Sequence, residues 1–208
     1  MITDFNDKLD IMFPDARCEL KYNKDYELLI ATVLSAQCTD KRVNEVTKDL
    51  FKKHDIFSLT KASKKEIEDI IRPCGSYTKK SLYIKEIAKK LVNECNGNVP
   101  NNREYLESLP GVGRKTTNVV LSNLFDVPAI AVDTHVERVS KRLRIARKND
   151  DVLTVEKKLM KMIPKEKWSR SHHQMVLFGR YICKARGPLC SDCLFYEDCK
   201  SKDKKSKV

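Results

Sequence analysis

The sequence has no apolar run close to the roughly 20 residues that a helix needs to cross a bilayer. Its first residues, MITDFND, are acidic and polar, unlike a secretory signal or an Arg-rich transit peptide. These absences argue against a membrane or secreted protein and predict a protein of the reducing cytoplasm. Disulfide bonds are not expected in that compartment.

Glycine is scarce, with six residues among 208, and no segment alternates apolar and polar residues as a half-buried strand does. Apolar residues recur instead at helical spacing. The sequence therefore predicts an all-α protein with short connections, built as one large domain or two smaller ones. The predicted helices cover residues 25–37, 40–51, 65–71, 79–92, 103–108, 114–125, 152–163 and 165–183, with a further helix start near residue 134.

Acidic residues are too few to balance the basic ones. The chain has 41 Lys and Arg against 29 Asp and Glu, which gives a net charge of +12. Such an excess attracts polyanions and favours a nucleic-acid partner. The lysine-rich end, residues 200–207, is predicted to be a solvated, disordered tail that adds non-specific attraction to DNA.

A glycine hairpin, residues 109–113 (LPGVG), precedes a helix whose first turn holds Lys115. Glycine permits the tight reversal, because it adopts positive φ without steric cost. The uncapped N–H groups and the positive dipole end of the next helix suit a phosphate. The same dipole disfavours a protonated amine at Lys115, which makes this residue a candidate nucleophile. The alternative is a solvated lysine at a helix corner.

A second helix start follows the apolar segment 129–132. Thr134 and Glu137 have the spacing of a capping box, which places Asp133 at the helix N-terminus. Asp133 could serve only as an N-cap, or it could also be a catalytic carboxylate, since the two roles are compatible.

Four cysteines lie close together in a polar segment near the end of the chain: Cys183, Cys190, Cys193 and Cys199. A metal site explains this cluster, and its spacing leaves zinc and an iron–sulfur cluster both open. The adjacent His172 and His173 are predicted to be packing or surface residues rather than further ligands. The scattered cysteines are predicted to be small buried hydrophobic residues: Cys18, Cys38, Cys74 and Cys95.

Four segments in this order resemble the endonuclease III family of DNA glycosylases: residues 34–40 (LSAQCTD), 109–116 (LPGVGRKT), 132–136 (VDTHV) and the four-cysteine segment. The resemblance covers nearly the whole chain. It implies a monomer with two helical lobes and a cleft between them that binds damaged duplex DNA. One lobe is a six-helix domain with the helix–hairpin–helix motif, residues 22–128. The other is an iron–sulfur cluster domain, residues 1–21 plus 129–208, with a [4Fe–4S] cluster on the four cysteines.

The resemblance also implies a reaction. Lys115 attacks the sugar C1′ of an extruded nucleotide that carries an oxidised pyrimidine, and it forms a Schiff base that cleaves the strand by β-elimination. Asp133 assists as the carboxylate. Gln37 fills the gap in the DNA, and Thr39, Asp40 and His135 lie near the pocket. The resemblance implies further DNA contacts from the hairpin and from a basic loop: Gly111, Val112, Gly113, Arg114, Thr116, Lys184 and Arg186.

Two positions depart from the family pattern. Ser76 stands where the family has an apolar side chain that wedges into the DNA. Tyr77, Cys74 or another loop would therefore have to fill the gap on the opposite strand. Cys38 stands beside Gln37 in place of alanine or threonine. Two alternative functions remain at this point: an adenine-specific mismatch glycosylase, which lacks the lysine, and a non-catalytic iron–sulfur DNA-binding module.

Overall fold

The computed structural model describes residue 2 and residues 4–206, and within them it contains helices and no strand. The all-α prediction is confirmed. No helix in the described part of the chain is both long and apolar enough to cross a membrane. The α-helices are α1 Phe5–Met12, α2 Asp25–Leu34, α3 Asp40–Lys53, α4 Ile56–Lys61, α5 Lys64–Ile71, α6 Tyr77–Cys95, α7 Arg103–Glu107, α8 Arg114–Leu124, α9 Thr134–Arg142, α10 Val152–Met162 and α11 Trp168–Leu177.

The chain divides into two compact units. The central unit comprises residues 18–125, and the terminal unit combines the chain up to residue 17 with the chain from residue 126 onwards. The predicted domain limits, 22 and 128, lie within a few residues of these positions. The functions assigned to the two domains stay predictions.

Helix α2 is the centre of the unit formed by residues 18–125. Its residues 27–34 are all buried, and apart from Glu27 and Thr32 they are apolar, as expected for a central helix. The structure adds two helices to those predicted from spacing, α1 and the short α4, whose six residues are too few to show a helical period. Asp55 caps it, because the Asp55 carboxylate accepts from the Ser58 N–H at 2.7 Å and the Ser58 hydroxyl accepts from the Asp55 N–H at 2.9 Å.

The terminal unit is built on an aromatic core. Phe195, which lies between the third and fourth clustered cysteines, is fully buried, and its ring centre is 5.3 Å from the rings of Phe5 and of Phe178. Burial of one such side chain contributes roughly 1.5–3 kcal/mol. Phe195 therefore fixes the cysteine segment against α1 and the end of α11.

Candidate active site and cysteine centre

The hairpin between α7 and α8 is anchored by buried side chains and a close backbone contact. Leu109 and Val112 are buried, and Gly111 adopts a φ of +77°. A Cβ at Gly111 would lie 2.4 Å from Cδ2 of Tyr83, which comes from α6. Only glycine satisfies both the backbone conformation and the close contact at this position.

The N-terminus of α8 is open. Gly113 is its N-cap in extended backbone, no side chain in the described residues caps this helix, and its first turn contains no acidic residue. A Cβ at Gly113 would meet nothing within 4 Å. Gly111, Gly113 and Arg114 are exposed, whereas Val112 and Thr116 are buried, so those two could reach a phosphate only through the backbone. The end of α8 is therefore a suitable place for an anion.

Lys115 lies half-buried in the first turn of α8. The helix that carries it is rigidly held, because residues 116–122 are all buried. Arg103 of α7 donates to Asn118 Oδ1 of α8 at 2.7 Å, which connects the two helices. It also donates to Glu107 Oε1 within α7 at 2.9 Å. The predicted nucleophile therefore stands on a fixed support.

Asp133 is the N-cap of α9. Its Oδ1 accepts from the backbone N–H groups of His135 and Val136, both at 2.8 Å, so the cap leaves Oδ2 unused. The helix start at Thr134 is confirmed, but the capping residue is Asp133 rather than Thr134. Glu137 pairs with Lys141 at 2.5 Å instead of closing a capping box. The segment before Asp133, residues 129–132, is buried and fixes its backbone.

The loop between α2 and α3 carries the other residues of the predicted pocket. Gln37 is exposed and has a φ of +57°, a conformation that costs a non-glycine residue roughly 1–2 kcal/mol. Thr39 is the N-cap of α3, and Asp40 is half-buried in its first turn. The structure thus presents the Gln37 side chain at the surface.

A residue that was not predicted from the sequence holds this loop. Lys80 of α6 is buried, and its Nζ donates to the main-chain oxygens of Leu34 at 2.9 Å, Ala36 at 2.8 Å and Cys74 at 2.8 Å. The sequence could have indicated that Lys80 is buried, because it falls at helical spacing from the buried Ile84, Ile87 and Leu91.

The loop before α6 contains Ser76. Gly75 and Ser76 both have positive φ, 64° and 46°, and both are exposed. Cys74 is only 1% exposed, so it is unable to fill a gap in DNA, and that option is wrong. Burial raises the pKa of the Cys74 thiol to about 12. Tyr77 is half-buried, with the Arg72 guanidinium 5.3 Å from its ring centre.

The scattered cysteines differ in burial. Cys74 is confirmed as a small buried hydrophobic residue, whereas the other three are only half-buried: Cys18, Cys38 and Cys95.

The four clustered cysteines line one cavity in the terminal unit, together with apolar residues that include Leu143 and Phe178. All four are half-buried, and burial raises the pKa of the Cys193 thiol to about 11. In the described residues, no three His, Cys, Asp or Glu side chains converge on a point that could hold a single metal ion. The backbone N–H of Lys205 donates to Cys190 Sγ at 3.3 Å.

Two arginines of α9 hold the loop that follows Cys183, and this role was not predicted from the sequence. Arg142 donates to Cys183 Sγ at 3.4 Å and to the Lys184 oxygen at 2.6 Å. Arg138 donates to the Cys183 oxygen at 3.2 Å and to the Gly179 oxygen at 2.6 Å. Their i, i+4 spacing places both arginines on one face of α9, and this spacing could have indicated a shared role.

The remaining predicted residues of this unit are placed as follows. His135 is half-buried, with its Nδ1 3.3 Å from an Arg138 nitrogen. Lys184 is half-buried and Arg186 is exposed on the same loop. The structure places His135 beside the arginines that support the cysteine loop.

The two adjacent histidines are packing residues. His172 is buried, and burial lowers the pKa of His173 to about 4, so the His173 ring is neutral at pH 7. Neither lines the cavity of the four cysteines. The prediction that they are not metal ligands agrees with this placement.

The tail residues that the structure describes, 200–206, are mostly exposed, as predicted for a solvated segment, and the side chains of two of them contact the rest of the terminal unit. Arg142 forms an ion pair with Asp203 at 3.0 Å, and Lys204 Nζ lies 3.8 Å from the centre of the Tyr196 ring. These two contacts place Asp203 beside α9 and Lys204 beside Tyr196, and the disorder of the tail stays a prediction.

Comparisons with known proteins agree with these features. A family model described as HhH-GPD superfamily base excision DNA repair protein matches residues 30–165. The chain is 49% identical over 205 residues to the endonuclease III of Bacillus subtilis (strain 168), an alignment that covers 97% of this chain and 92% of that protein. It is 52% identical to a solved non-covalent endonuclease III–DNA complex, with a TM-score of 0.92 and 96% of each chain covered. A trapped endonuclease III–DNA covalent intermediate (estranged-adenine complex) is also 52% identical, with a TM-score of 0.91 and coverage of 96% of this chain and 97% of that one.

Proposed function

The chain belongs to the HhH-GPD superfamily of base excision DNA repair proteins and, within it, to the endonuclease III family, and from this premise we propose that Lys115 is its nucleophile and Asp133 its catalytic carboxylate. The protein is a bifunctional DNA glycosylase and AP lyase that acts on damaged duplex DNA. The single observation that carries the assignment of Lys115 is its position in the first turn of α8, directly after the open hairpin.

The proposed reaction begins with extrusion of the damaged nucleotide, since the sugar C1′ is not accessible within a stacked duplex. The unprotonated Lys115 amine attacks C1′, and the bond from C1′ to the base breaks. The sugar ring then opens to a Schiff base between C1′ and Lys115 Nζ. Loss of a C2′ proton expels the 3′ phosphate and breaks the strand. The covalent intermediate trapped with a 52% identical relative supports this route.

Asp133 is proposed to accept the proton that Lys115 must lose and to stabilise positive charge that develops on the sugar. Two N–H groups fix the orientation of its carboxylate through Oδ1. Oδ2 is the atom left for the reaction. Capping and catalysis are thus compatible in one side chain.

We propose oxidised pyrimidines as the substrate class, and the N–H groups of the hairpin as ligands of a phosphate beside the lesion. The open space at Gly113 and the absence of acidic residues in the first turn of α8 support the phosphate contact. The exposed Gln37 is proposed to occupy the space that the extruded nucleotide leaves. Thr39, Asp40 and His135 are proposed to line the pocket, and Lys184 and Arg186 to contact the DNA backbone.

The two alternative functions lose support. Relatives that are 49–52% identical over nearly the whole chain are endonuclease III proteins, which argues against an adenine-specific mismatch glycosylase. The presence of Lys115 together with Asp133 is unexpected in a non-catalytic DNA-binding module.

We propose that Cys183, Cys190, Cys193 and Cys199 hold a [4Fe–4S] cluster. The donor set fits, because four thiols line one cavity and Arg142 and the Lys205 N–H both donate to sulfur. Four cysteine thiolates are the donor set that would hold such a cluster. The cluster would cross-link the cysteine segment and orient the basic loop with Lys184 and Arg186. We also propose that the protein works in the cytoplasm, at the nucleoid.

Borohydride trapping tests the nucleophile. Reduction of the Schiff base should attach the protein covalently to a duplex that contains an abasic site or an oxidised pyrimidine. We expect Lys115→Gln to abolish trapping, and Asp133→Asn to slow it by about 100-fold or more because proton transfer is lost. Lys65→Gln is the matched control, since Lys65 is the second residue of α5 as Lys115 is of α8. Undiminished trapping in Lys115→Gln would require a different nucleophile.

A further inference from the structure

A basic groove runs along α9 and the tail in the terminal unit. We define it by the charged residues that line it: Glu137, Arg138, Lys141, Arg142, Arg144, Arg147, Lys148, Lys200, Lys202 and Asp203. Eight of these residues are basic and two are acidic. Thr134, the residue after Asp133, also lines the groove, so the groove begins next to the catalytic carboxylate.

The acidic residues of the basic groove are both engaged. Glu137 pairs with Lys141 at 2.5 Å, and Asp203 pairs with Arg142 at 3.0 Å. The groove therefore has no carboxylate left for its other cations.

Five cations of the groove are exposed: Arg144, Arg147, Lys148, Lys200 and Lys202. Among the described residues, none of the five has an ion pair within 4 Å. Asp150, the carboxylate near Arg147, is already bound to Lys158. Clustered like charges repel one another, so the groove is best stabilised by an external polyanion.

The residues that line the basic groove indicate which kind of partner it binds. The groove has a volume of about 850 Å³, which lies in the range of small-ligand pockets, but such pockets are lined mainly by hydrophobic and aromatic residues, whereas ten of the thirteen residues that line this groove are charged. Helix α9 has nine residues and is therefore about 13 Å long. One DNA strand has a phosphate about every 3.4 Å along the helix axis, so roughly four phosphates match this length.

We propose that the basic groove binds the phosphate backbone of the DNA substrate outside the lesion nucleotide and so extends the interface beyond the hairpin and the cysteine loop. The inference rests on the proposed function, in that the polyanion is the duplex on which the enzyme acts. Arg144, Arg147 and Lys148 would contact phosphates from the segment that follows α9, and Lys200 and Lys202 from the tail.

The test measures binding to a duplex with an uncleavable tetrahydrofuran abasic site at several salt concentrations. The groove variant is Arg144→Gln with Arg147→Gln and Lys148→Gln, and a second variant carries Lys200→Gln with Lys202→Gln. The control neutralises three exposed lysines outside the groove, Lys157→Gln with Lys161→Gln and Lys165→Gln, so its net charge matches that of the first variant.

We expect the dissociation constant of the triple groove variant to rise about tenfold or more near physiological salt, and the slope of log K against log[salt] to become shallower by about 3. The double tail variant should flatten the slope by about 2, and the control should stay close to the wild type. Neutral methylphosphonate links placed one at a time along the duplex should weaken the wild type at the contacted phosphates and leave the groove variants unaffected there.

Two results would overturn the proposal. One is a groove variant with wild-type affinity and salt slope. The other is an equal loss in the groove and control variants, which would show an effect of net charge alone. Failure of the proposed function is seen separately, as absence of borohydride trapping in the wild type.

Discussion

At the scale of single residues, Lys80 shows how one buried side chain fixes two exposed loops. An ammonium group has three donors, and Lys80 uses all three on main-chain oxygens. The Leu34 oxygen is at the end of α2, the Ala36 oxygen belongs to the loop that carries Gln37, and the Cys74 oxygen lies just before Gly75 and Ser76. Both loops contain non-glycine residues with positive φ, so they need such support to keep their conformation.

Lys80→Met removes all three donors while it keeps an apolar side chain. Buried carbonyl groups without a partner are costly, so we expect a loss of about 3 kcal/mol in the free energy of unfolding. For a chain of this size that corresponds to a decrease in Tm of about 6–12 °C. Hydrogen exchange should accelerate at residues 35–39 and 74–76. Lys79→Met, one position earlier and exposed, is the control, and equal Tm values for the two variants would refute the role given to Lys80.

His173 makes stability depend on pH. Burial lowers its folded-state pKa to about 4 from 6.5, so between these values the unfolded chain binds a proton that the folded chain does not. The free energy of unfolding therefore falls as the pH decreases through this window. From pH 7.5 to pH 5 we expect a loss of about 2 kcal/mol or less, because part of the side chain stays exposed. Urea unfolding of His173→Phe at both pH values should show a loss smaller by that amount, and an identical loss would contradict the assignment.

At the scale of elements, the helix–hairpin–helix formed by α7, the hairpin and α8 uses its two glycines for different purposes. Gly111 is required by the fold, because of its positive φ and its contact with Tyr83. Gly113 has extended backbone and open space at the Cβ position, so the fold of this chain does not require it. The purpose that we propose for Gly113 is close approach of the DNA backbone.

A pair of alanine variants separates the two purposes. Gly111→Ala should lower the free energy of unfolding by about 2 kcal/mol or more, because it combines backbone strain with a clash. Gly113→Ala should leave Tm within about 2 °C of the wild type and still weaken binding to abasic-site duplex about tenfold, because the methyl group occupies space that a phosphate needs. A Gly113→Ala variant that binds DNA like the wild type would argue against phosphate binding at this helix end.

Local patterns predict these elements well, and long-range contacts explain what the sequence did not reveal. The hairpin glycines, the start of α9 at Thr134 and the cysteine segment are all encoded by neighbouring residues. The carbonyl partners of Lys80 lie up to 46 residues away along the chain, and the Cys183 partner of Arg138 lies 45 residues away. Helical spacing marks both side chains as inward-facing, but it does not reveal the acceptors that make such burial possible.

At the scale of the whole molecule, the two compact units are stabilised differently. The central unit has a helix, α2, with residues 27–34 all buried. The cysteine segment of the terminal unit, residues 183–199, has one fully buried anchor, Phe195, and is otherwise held by polar contacts from Lys8, Arg138 and Arg142. That segment therefore has little apolar burial of its own, and a bound cluster would supply the missing cross-links.

Loss of the cluster should consequently act on one unit only. We expect purified protein to be brown and to contain iron and acid-labile sulfide, and Cys190→Ser with Cys193→Ser to abolish both. Hydrogen exchange should then accelerate within residues 183–205, while α2 stays protected because its apolar contacts do not involve the cysteines. Cys95→Ser, which changes a half-buried cysteine of the central unit, is the control. Colourless wild-type protein that contains stoichiometric zinc would show that the site is a zinc site rather than a cluster. Faster exchange throughout both units of the variant would show that the cysteine segment supports the whole molecule rather than its own loop.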